Sequence, residues 1–491
     1  TYDEIYIYNM HGSIRKGESS QDERKDENVF ENITQGVSIN IFVKHLKKQP
    51  KNIVKYCELW GKRNEKYALL LEENFKNTNW QILTPKEPNW FFIPKNTNIE
   101  NEYNNYMAIA DVFTIKNSGI ETQKDSITIQ FTDEELDVVI NDIIKLSEDT
   151  FKQKYKISDS RDWKFKLARE DAETHQKEKT KIQYRPFDQR YTLFTGKSKG
   201  FVAYPRTDIM EHLFKNNLSL VTCRQLAIKG FHHVFVSKNI CERCLVSIKT
   251  KELGYVYPLY LYENSNQSSL LNTESCRPNL AKEFLERFPE IIGLSFVYDG
   301  KGDLKISFGP ESVFYYAYSI FNSPTYRTRY AEQLQTDFPR LPLTSNKKLF
   351  ADLVCMGNEL VNLHLLGDNP FDNSETIFDE PIKWGIKIDG IKPDKLSDWQ
   401  VSDIRYEEKD KRVYINKGQY FEGVEKDVWE FMIGSYQVCD KWLKERKKAE
   451  RALSTEDLKH YMKIVVSLRE TIRVMSEIDR CINDHGGWPI K

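Results

Sequence analysis

Apolar positions along the chain follow two rhythms, one of period two and one of three and four. The first 45 residues follow the shorter one. "EIYIYNM" and "GVSINIFV" read as strands of high β-propensity. The segment between them, "GSIRKGESSQDERKDEN", is too polar to bury much. The pair predicts a long-looped hairpin, Val37–Val43 being its second strand, at the edge of a larger sheet. From residue 46 the rhythm changes. "NEKYALLLEENF" and "TDEELDVVINDIIKLSEDTFKQKY" have helical spacing, with Leu136, Val139, Ile140, Ile143, Ile144 and Phe151 on one stripe. Thr132 stands three residues before Glu135, the spacing of a capping box. "TNWQILTPKEPNWFFIP" is irregular, and residues 161–180 read as a charged helix bridging segments.

Strand signals dominate residues 181–310: "IQYRPFD", "RYTLFT", "LSLVTC", "HHVFVS", "YVYPLYLY", "GLSFVYD" and "LKISF". Helical spacing returns at 311–366. One helix stops near Asn322, and Ser323 with Pro324 opens the next. Pro339 and Pro342 end that run. A short strand, "RVYINKGQYF", precedes a helix predicted at about 426–450 and a second opened by Ser454 and Asp457. Leu458, Tyr461, Val465, Leu468, Ile472 and Met475 form a helix–helix seam on the latter. The predicted class is α+β and multidomain: hairpin strands at 1–45, a helical connector at 46–180, and a mixed α/β domain at 181–491 that ends in a helix pair.

Composition narrows the class without choosing a function. The chain has 491 residues, 40% apolar and 30% charged, with a net charge of −1. That is ordinary for a globular protein, and no apolar run is long enough to span a membrane. The eight cysteines are scattered apart from "CERC" at 241–244, which points to a reducing, cytoplasmic setting. Aromatic residues reach 13%, and many stand beside Arg or Lys, as in "YRPFDQRY" and "TYRTRY". Such neighbours suit a nucleic-acid surface, and equally the rim of an aromatic core.

No P-loop, G-x-S-x-G or H-E-x-x-H motif occurs. "CERC" is half of a zinc site with no second pair of matching spacing; Cys223, Cys276, His232 and His233 are the available completions. Two readings compete with a binding module on these residues. One is an enzyme with a zinc-dependent or dispersed site around "CERC" and His232/His233. The other is an interaction scaffold that offers the 458–475 seam to a partner helix.

"YDEIYIYNMHGS", "KDENVFENITQGVSINIFVK", "YRPFDQRYTLF", "LSLVTCRQ", "YRTRYAEQLQTDFPRLPL", "LVNLHLLG" and "VYINKGQYFEGV" appear in that order. The set resembles the C-terminal part of type ISP-like restriction-modification enzymes and γ-class N6-adenine DNA methyltransferases. The resemblance implies that residues 1–45 are the last strands of a Rossmann-like methyltransferase sheet and that 181–491 is a target-recognition domain for duplex DNA. The family's Gly-rich cofactor loop and its "N-P-P-Y"-type tetrapeptide are missing; the nearest string is "DNPF" at 368–371. The implied protein is therefore a fragment, with no catalytic or cofactor-binding residues of its own. S-adenosylmethionine would bind the parent enzyme, in an N-terminal methyltransferase portion that, with any helicase-nuclease, lies outside this sequence.

The same resemblance places Phe30, with Asn28 beside it, at the flipped target adenine, where an aromatic ring packs on the extruded base. The alternative is a hydrophobic plug where the loop rejoins the sheet. For duplex contacts, base-edge chemistry selects Arg224 and Gln225 after a predicted strand, and Arg327, Arg329 and Tyr330 at a helix start. Arg190, Arg206 and Lys229 fall in predicted loops. Arg340, held between prolines in "FPRLP", either touches DNA or pins its loop.

Overall fold

The computed structural model describes residues 2–13, 26–46, 53–85, 90–94, 97–228, 230–247, 252–262, 276–380, 385–390 and 399–491. The chain divides into two units, residues 1–103 with 227–229, and residues 104–226 with 230–491.

In the first unit, β1 (Glu4–Asn9) and β2 (Ser38–Val43) pair antiparallel, with Glu4 opposite Val43. The predicted hairpin therefore forms, with β2 at the sheet edge. The sheet does not stop there. β3 (Ile53–Glu58) runs parallel to β1 on its other side, and β4 (Gln81–Leu83) pairs with β3, giving the order β2-β1-β3-β4. Between these two strands lies α1 (Arg63–Glu72). The stretch after residue 46 is thus not a purely helical connector. Its strand signal is the short alternation that buries Val54 and Tyr56, and the longer helical pattern beside it obscures it. A small core of Tyr8, Met10, Val29 and Leu59 holds the unit together.

In the second unit, α2 (Asp133–Lys145) starts where predicted: the Thr132 hydroxyl accepts the Glu135 amide at 3.2 Å. It buries Leu136, Val139, Ile140 and Ile143. The helical pattern breaks at Ser147, which caps a separate helix, Glu148–Tyr155. α3 (Phe165–Thr174) precedes the antiparallel hairpin of β5 (Lys179–Arg185) and β6 (Asp188–Leu193). β7 (Ser219–Cys223) lies between β8 (Val234–Ser237) and β9 (Gly254–Pro258), antiparallel to both. All five residues of β7 are buried, the polar Ser219 and Thr222 among them, so the strand shows no exposed face.

The core of this unit is helical. Every residue of α4 (Pro310–Asn322) is buried. α5 (Lys347–His364) lies so close to it that a Cβ at Gly357 would overlap the Tyr315 carbonyl. Only glycine permits that approach. Ser323 then caps the next helix, Pro324–Arg329, through the Tyr326 amide at 3.0 Å. The helix predicted at 426–450 is interrupted. A four-residue turn of helix, Lys426–Trp429, is followed by a two-stranded hairpin and then α6 (Val438–Lys448). The cause is Gly434, at φ +59°, whose Cα faces the Val246 carbonyl too closely for a side chain. α7 (Thr455–Asp484) has the predicted capping box at Ser454 and Asp457 and packs against α4 and α5. Of its seam residues Leu458, Tyr461, Val465 and Leu468 are buried and Ile472 and Met475 half-buried, so the chain itself covers most of the surface the scaffold reading needs. Among the described residues no helix is long and apolar enough to cross a membrane.

Candidate nucleic-acid interface

The parallel strands β1 and β3 end at the same side of the first unit's sheet, and the polar residues of that unit gather there. His11 adopts φ +51° and Gly12 φ +84°, which turns the chain sharply after β1. The His11 ring stacks on Trp60, just beyond β3, with centroids 3.4 Å apart, and its Nε2 lies 3.2 Å from Glu58. The segment 26–31 is fastened to this turn. The Asn28 amide donates to the carbonyls of Gly12 (3.1 Å) and Gln35 (2.6 Å), and its Oδ1 accepts the Phe30 amide at 2.9 Å. Lys66 of α1 is fully buried. Its ammonium meets Asp26 Oδ1 and the carbonyls of Met10 and Glu27, each at 2.7 Å. Arg63 Nε adds a bond to the Asn28 carbonyl at 2.9 Å.

With so many restraints on six residues, Phe30 and Glu31 are left outside, and Phe30 is the apolar one of the two. Phe30 is 52% exposed, where a plug would be enclosed. Asn28 is buried and its polar atoms are occupied within the fold, so it holds the segment's shape. Sequence reasoning singled out both residues and missed Lys66. A lysine in "NEKYALLLEE" carries no local sign of burial, because its partners Asp26, Glu27 and Met10 lie far upstream in the chain.

The arginines of the second unit separate into two groups. Arg190 does not sit on a loop rim. It is buried in β6, bonded to Asp188 (2.8 Å) and Glu445 (3.2 Å), with its guanidinium 4.0 Å from the Phe131 ring centre. Arg446 of α6 meets the other Asp188 oxygen at 2.8 Å. Although burial opposes it, the two guanidinium groups hold the Asp188 carboxyl far below the usual carboxylate range. Arg327 is also buried. It donates to the Phe321 carbonyl (2.8 Å) and Asn322 Oδ1 (2.7 Å), and burial lowers its pKa to about 10. Arg327 and Tyr330 do share a helix face, as their spacing requires, but that face turns inward: the Tyr330 hydroxyl lies 3.0 Å from that of Tyr106. Neither arginine can reach a duplex without unfolding its surroundings. Arg340 pins its loop, donating to the Tyr106 carbonyl at 2.9 Å within the short pairing of Arg340–Leu341 with Met107–Ala108.

Arg224 and Gln225 are the exposed pair among these positions. They follow β7 directly, and the segment is anchored by the Leu226 amide to the Gln335 carbonyl at 3.0 Å. Arg224 is bound at 3.1 Å to Asp337, itself half exposed. Such a solvated pair costs at most about 1 kcal/mol to open. Arg329 is half-buried. Arg206 is half-buried at φ +55° beside Tyr204. Lys229 lies outside the described residues.

Of the "CERC" pair, Cys241 is fully buried, and burial raises the thiols of Cys241 and Cys244 to about 12 and about 11. Among the described residues, the one cluster of three potential ligands is Asp352, Cys481 and His485, and it includes neither cysteine of the motif.

The chain belongs to the family described as the Type ISP C-terminal specificity domain, whose model matches residues 111–477. No curated protein matches it. Three solved structures share its fold over 97% of its length. The ATP-dependent Type ISP restriction-modification enzyme LlaBIII bound to DNA matches with a TM-score of 0.69 at 18% identity. The DrdV–DNA complex gives 0.66 at 19%. A nuclease-deletion mutant of the Type ISP enzyme LlaGI, in complex with a DNA substrate mimic, gives 0.62 at 17%. The chain spans 31%, 48% and 44% of those chains.

Proposed function

We propose that this chain reads a specific duplex DNA sequence for a type ISP-like restriction-modification enzyme that methylates adenine at N6. The observation that carries this reading is the specificity-domain match across 111–477, joined to a fold shared over nearly the whole chain with three DNA-bound proteins. In this reading residues 104–491 supply recognition, and Arg224 and Gln225 reach base edges from the end of β7. Arg pairs with guanine and Gln with adenine in the major groove. The sheet β2-β1-β3-β4 completes a methyltransferase fold whose cofactor loop and catalytic tetrapeptide belong to other polypeptide. Phe30 stacks on the flipped adenine, and Asn28 and Lys66 hold the segment that presents it. S-adenosylmethionine is the methyl donor and binds outside this chain.

The test is selection of bound duplexes from a randomised pool. The expected result is enrichment of one short motif, with affinity that falls steeply as salt rises. Recovery of no motif, together with salt-independent binding, overturns the reading.

A further inference from the structure

The loop that leaves β6 carries a charged turn, Gly196-Lys197-Ser198-Lys199-Gly200. Two lysines separated by one residue repel each other, and a flexible loop would let them part. This loop is held. The buried Asp171 carboxylate accepts the Thr195 hydroxyl at 2.9 Å and the Phe201 amide at 2.7 Å. The Lys199 amide donates to the Ala203 carbonyl (2.8 Å), and the Thr207 hydroxyl to the Gly196 carbonyl (3.1 Å). Trp163 Nε1 fixes the Phe201 carbonyl at 3.1 Å, and Phe201, Val202 and Ala203 are buried beneath the turn.

Two non-glycine residues in this short loop, Lys199 (φ +59°) and Arg206 (φ +55°), occupy the left-handed region. That conformation is unfavourable for side chains with a Cβ and gathers at functional positions. Its effect here is positional. Ser198 and Arg206, eight residues apart, line one surface pocket of about 270 Å³ with Tyr204, Pro205, Thr207 and Asp208. The Arg206 guanidinium lies 5.3 Å from the Tyr204 ring centre, and its Nε is buried with no hydrogen-bond partner. Lys197, Ser198 and Lys199 are exposed, and among the described residues neither lysine nor Arg206 forms an ion pair. The nearby acids already have partners: Asp208 accepts from Asn117 at 2.8 Å, and Asp162 pairs with Arg161.

Resting on the DNA-reading function above, we propose that Ser198 and Arg206 grip one phosphodiester of the duplex backbone in their shared pocket, with Lys197 and Lys199 on either side of Ser198 in the chain adding positive charge. The lysines act as point charges, the Ser198 hydroxyl as a donor, and the stacked Arg206 fork as a directional donor for phosphate oxygens. Such a contact sets register and carries no sequence information.

The test compares Lys197→Ala/Lys199→Ala, Arg206→Gln and Lys197→Arg/Lys199→Arg with the parent chain on cognate and scrambled duplexes across a salt series. Thermal melts establish that each variant is folded. The two charge-removing variants are expected to lose about tenfold in affinity for both duplexes equally, with a salt slope shallower by about one per lost contact. The arginine double variant retains binding. Parent-like affinity and slope in the charge-removing variants overturn the proposal, as does a loss confined to the cognate duplex. A parent chain that binds neither duplex overturns the DNA reading itself, so the two failures are distinct.

Discussion

Each unit of the molecule contains a buried charge network, and the two networks serve opposite ends. In the first unit, Lys66 directs its ammonium at Asp26 and at the carbonyls of Met10 and Glu27. Its bonds hold a surface segment, and that segment exposes Phe30. In the second, Asp188 bonds two arginines drawn from β6 and α6, which lie more than 250 residues apart in sequence. Those bonds close a core and present nothing. A buried ion partnered mainly by loop backbone marks a presented surface, whereas one partnered by side chains from distant elements marks a joint. The distinction decides which arginines of an Arg/aromatic-rich chain are available to a ligand.

Removing the joint should have the largest effect. Asp188→Ala leaves Arg190 with Glu445 and leaves Arg446 without its acid, and is expected to cost about 3–5 kcal/mol of unfolding free energy. Urea denaturation measures it. A loss below about 1 kcal/mol would mean that Asp188 behaves like a surface pair and that the contrast is wrong. Lys66→Met should cost somewhat less, about 3 kcal/mol, because Asp26 keeps the Gly61 amide at 2.8 Å. Here location matters more than size. Hydrogen exchange should accelerate at residues 26–31 and 61–66 and stay unchanged around α4.

The exposed Arg224 and Gln225, proposed to read base edges, come next. Arg224→Ala with Gln225→Ala should reduce discrimination between cognate and scrambled duplex by about 1–3 kcal/mol per lost bidentate contact and leave the melting temperature in place. Unchanged discrimination removes these residues from the base-reading role. A smaller effect belongs to Glu311, near the start of α4. Burial raises its pKa to about 7, and Asp299 and Asp372 reinforce the shift against Lys301. A carboxyl whose folded pKa exceeds its unfolded value is better protonated when folded, so stability declines as pH climbs from the ordinary glutamate range to about 7. Glu311→Gln should abolish that decline and stabilise the chain at pH 8 by about 1–2 kcal/mol, after allowance for solvent screening. Melting temperatures at pH 5 and pH 8 give the difference.

Local chemistry was readable and distant partnership was not. The caps at Thr132, Ser323 and Ser454 formed as their spacing required, because a cap involves residues three apart. The α7 stripe is visible for the same reason, but its cover is not: Tyr461 packs on Phe421 and on Trp442 of α6, and the helix also lies against α4 and α5. β3 is hidden by the longer helical pattern that follows it, and the three residues of β4 carry too little periodic signal to be seen. Arg190 and Arg327 were assigned to a surface because nothing in "YRPFDQRY" or "TYRTRY" reveals Glu445, Arg446 or the inward turn of a short helix. Basic residues next to aromatic ones point to DNA only after their acidic partners are known.

Phe30 gives the smallest stability effect and the sharpest form of the contrast. It is half exposed, and the bonds of its segment run through Asn28, Lys66 and Arg63, none of which depends on the ring. Phe30→Ala should therefore change unfolding free energy by no more than about 0.5 kcal/mol. In the adenine methyltransferase that the proposed function implies, the same substitution should weaken capture of an extruded adenine, because aromatic stacking is worth about 1–3 kcal/mol per base. The readout is fluorescence of 2-aminopurine at the target position, which brightens when the base leaves the helix. A variant as stable as the parent with reduced brightening establishes that the Lys66 network exists to present this ring. A variant that is destabilised by several kcal/mol would instead make Phe30 part of the core and dissolve the difference between the two networks.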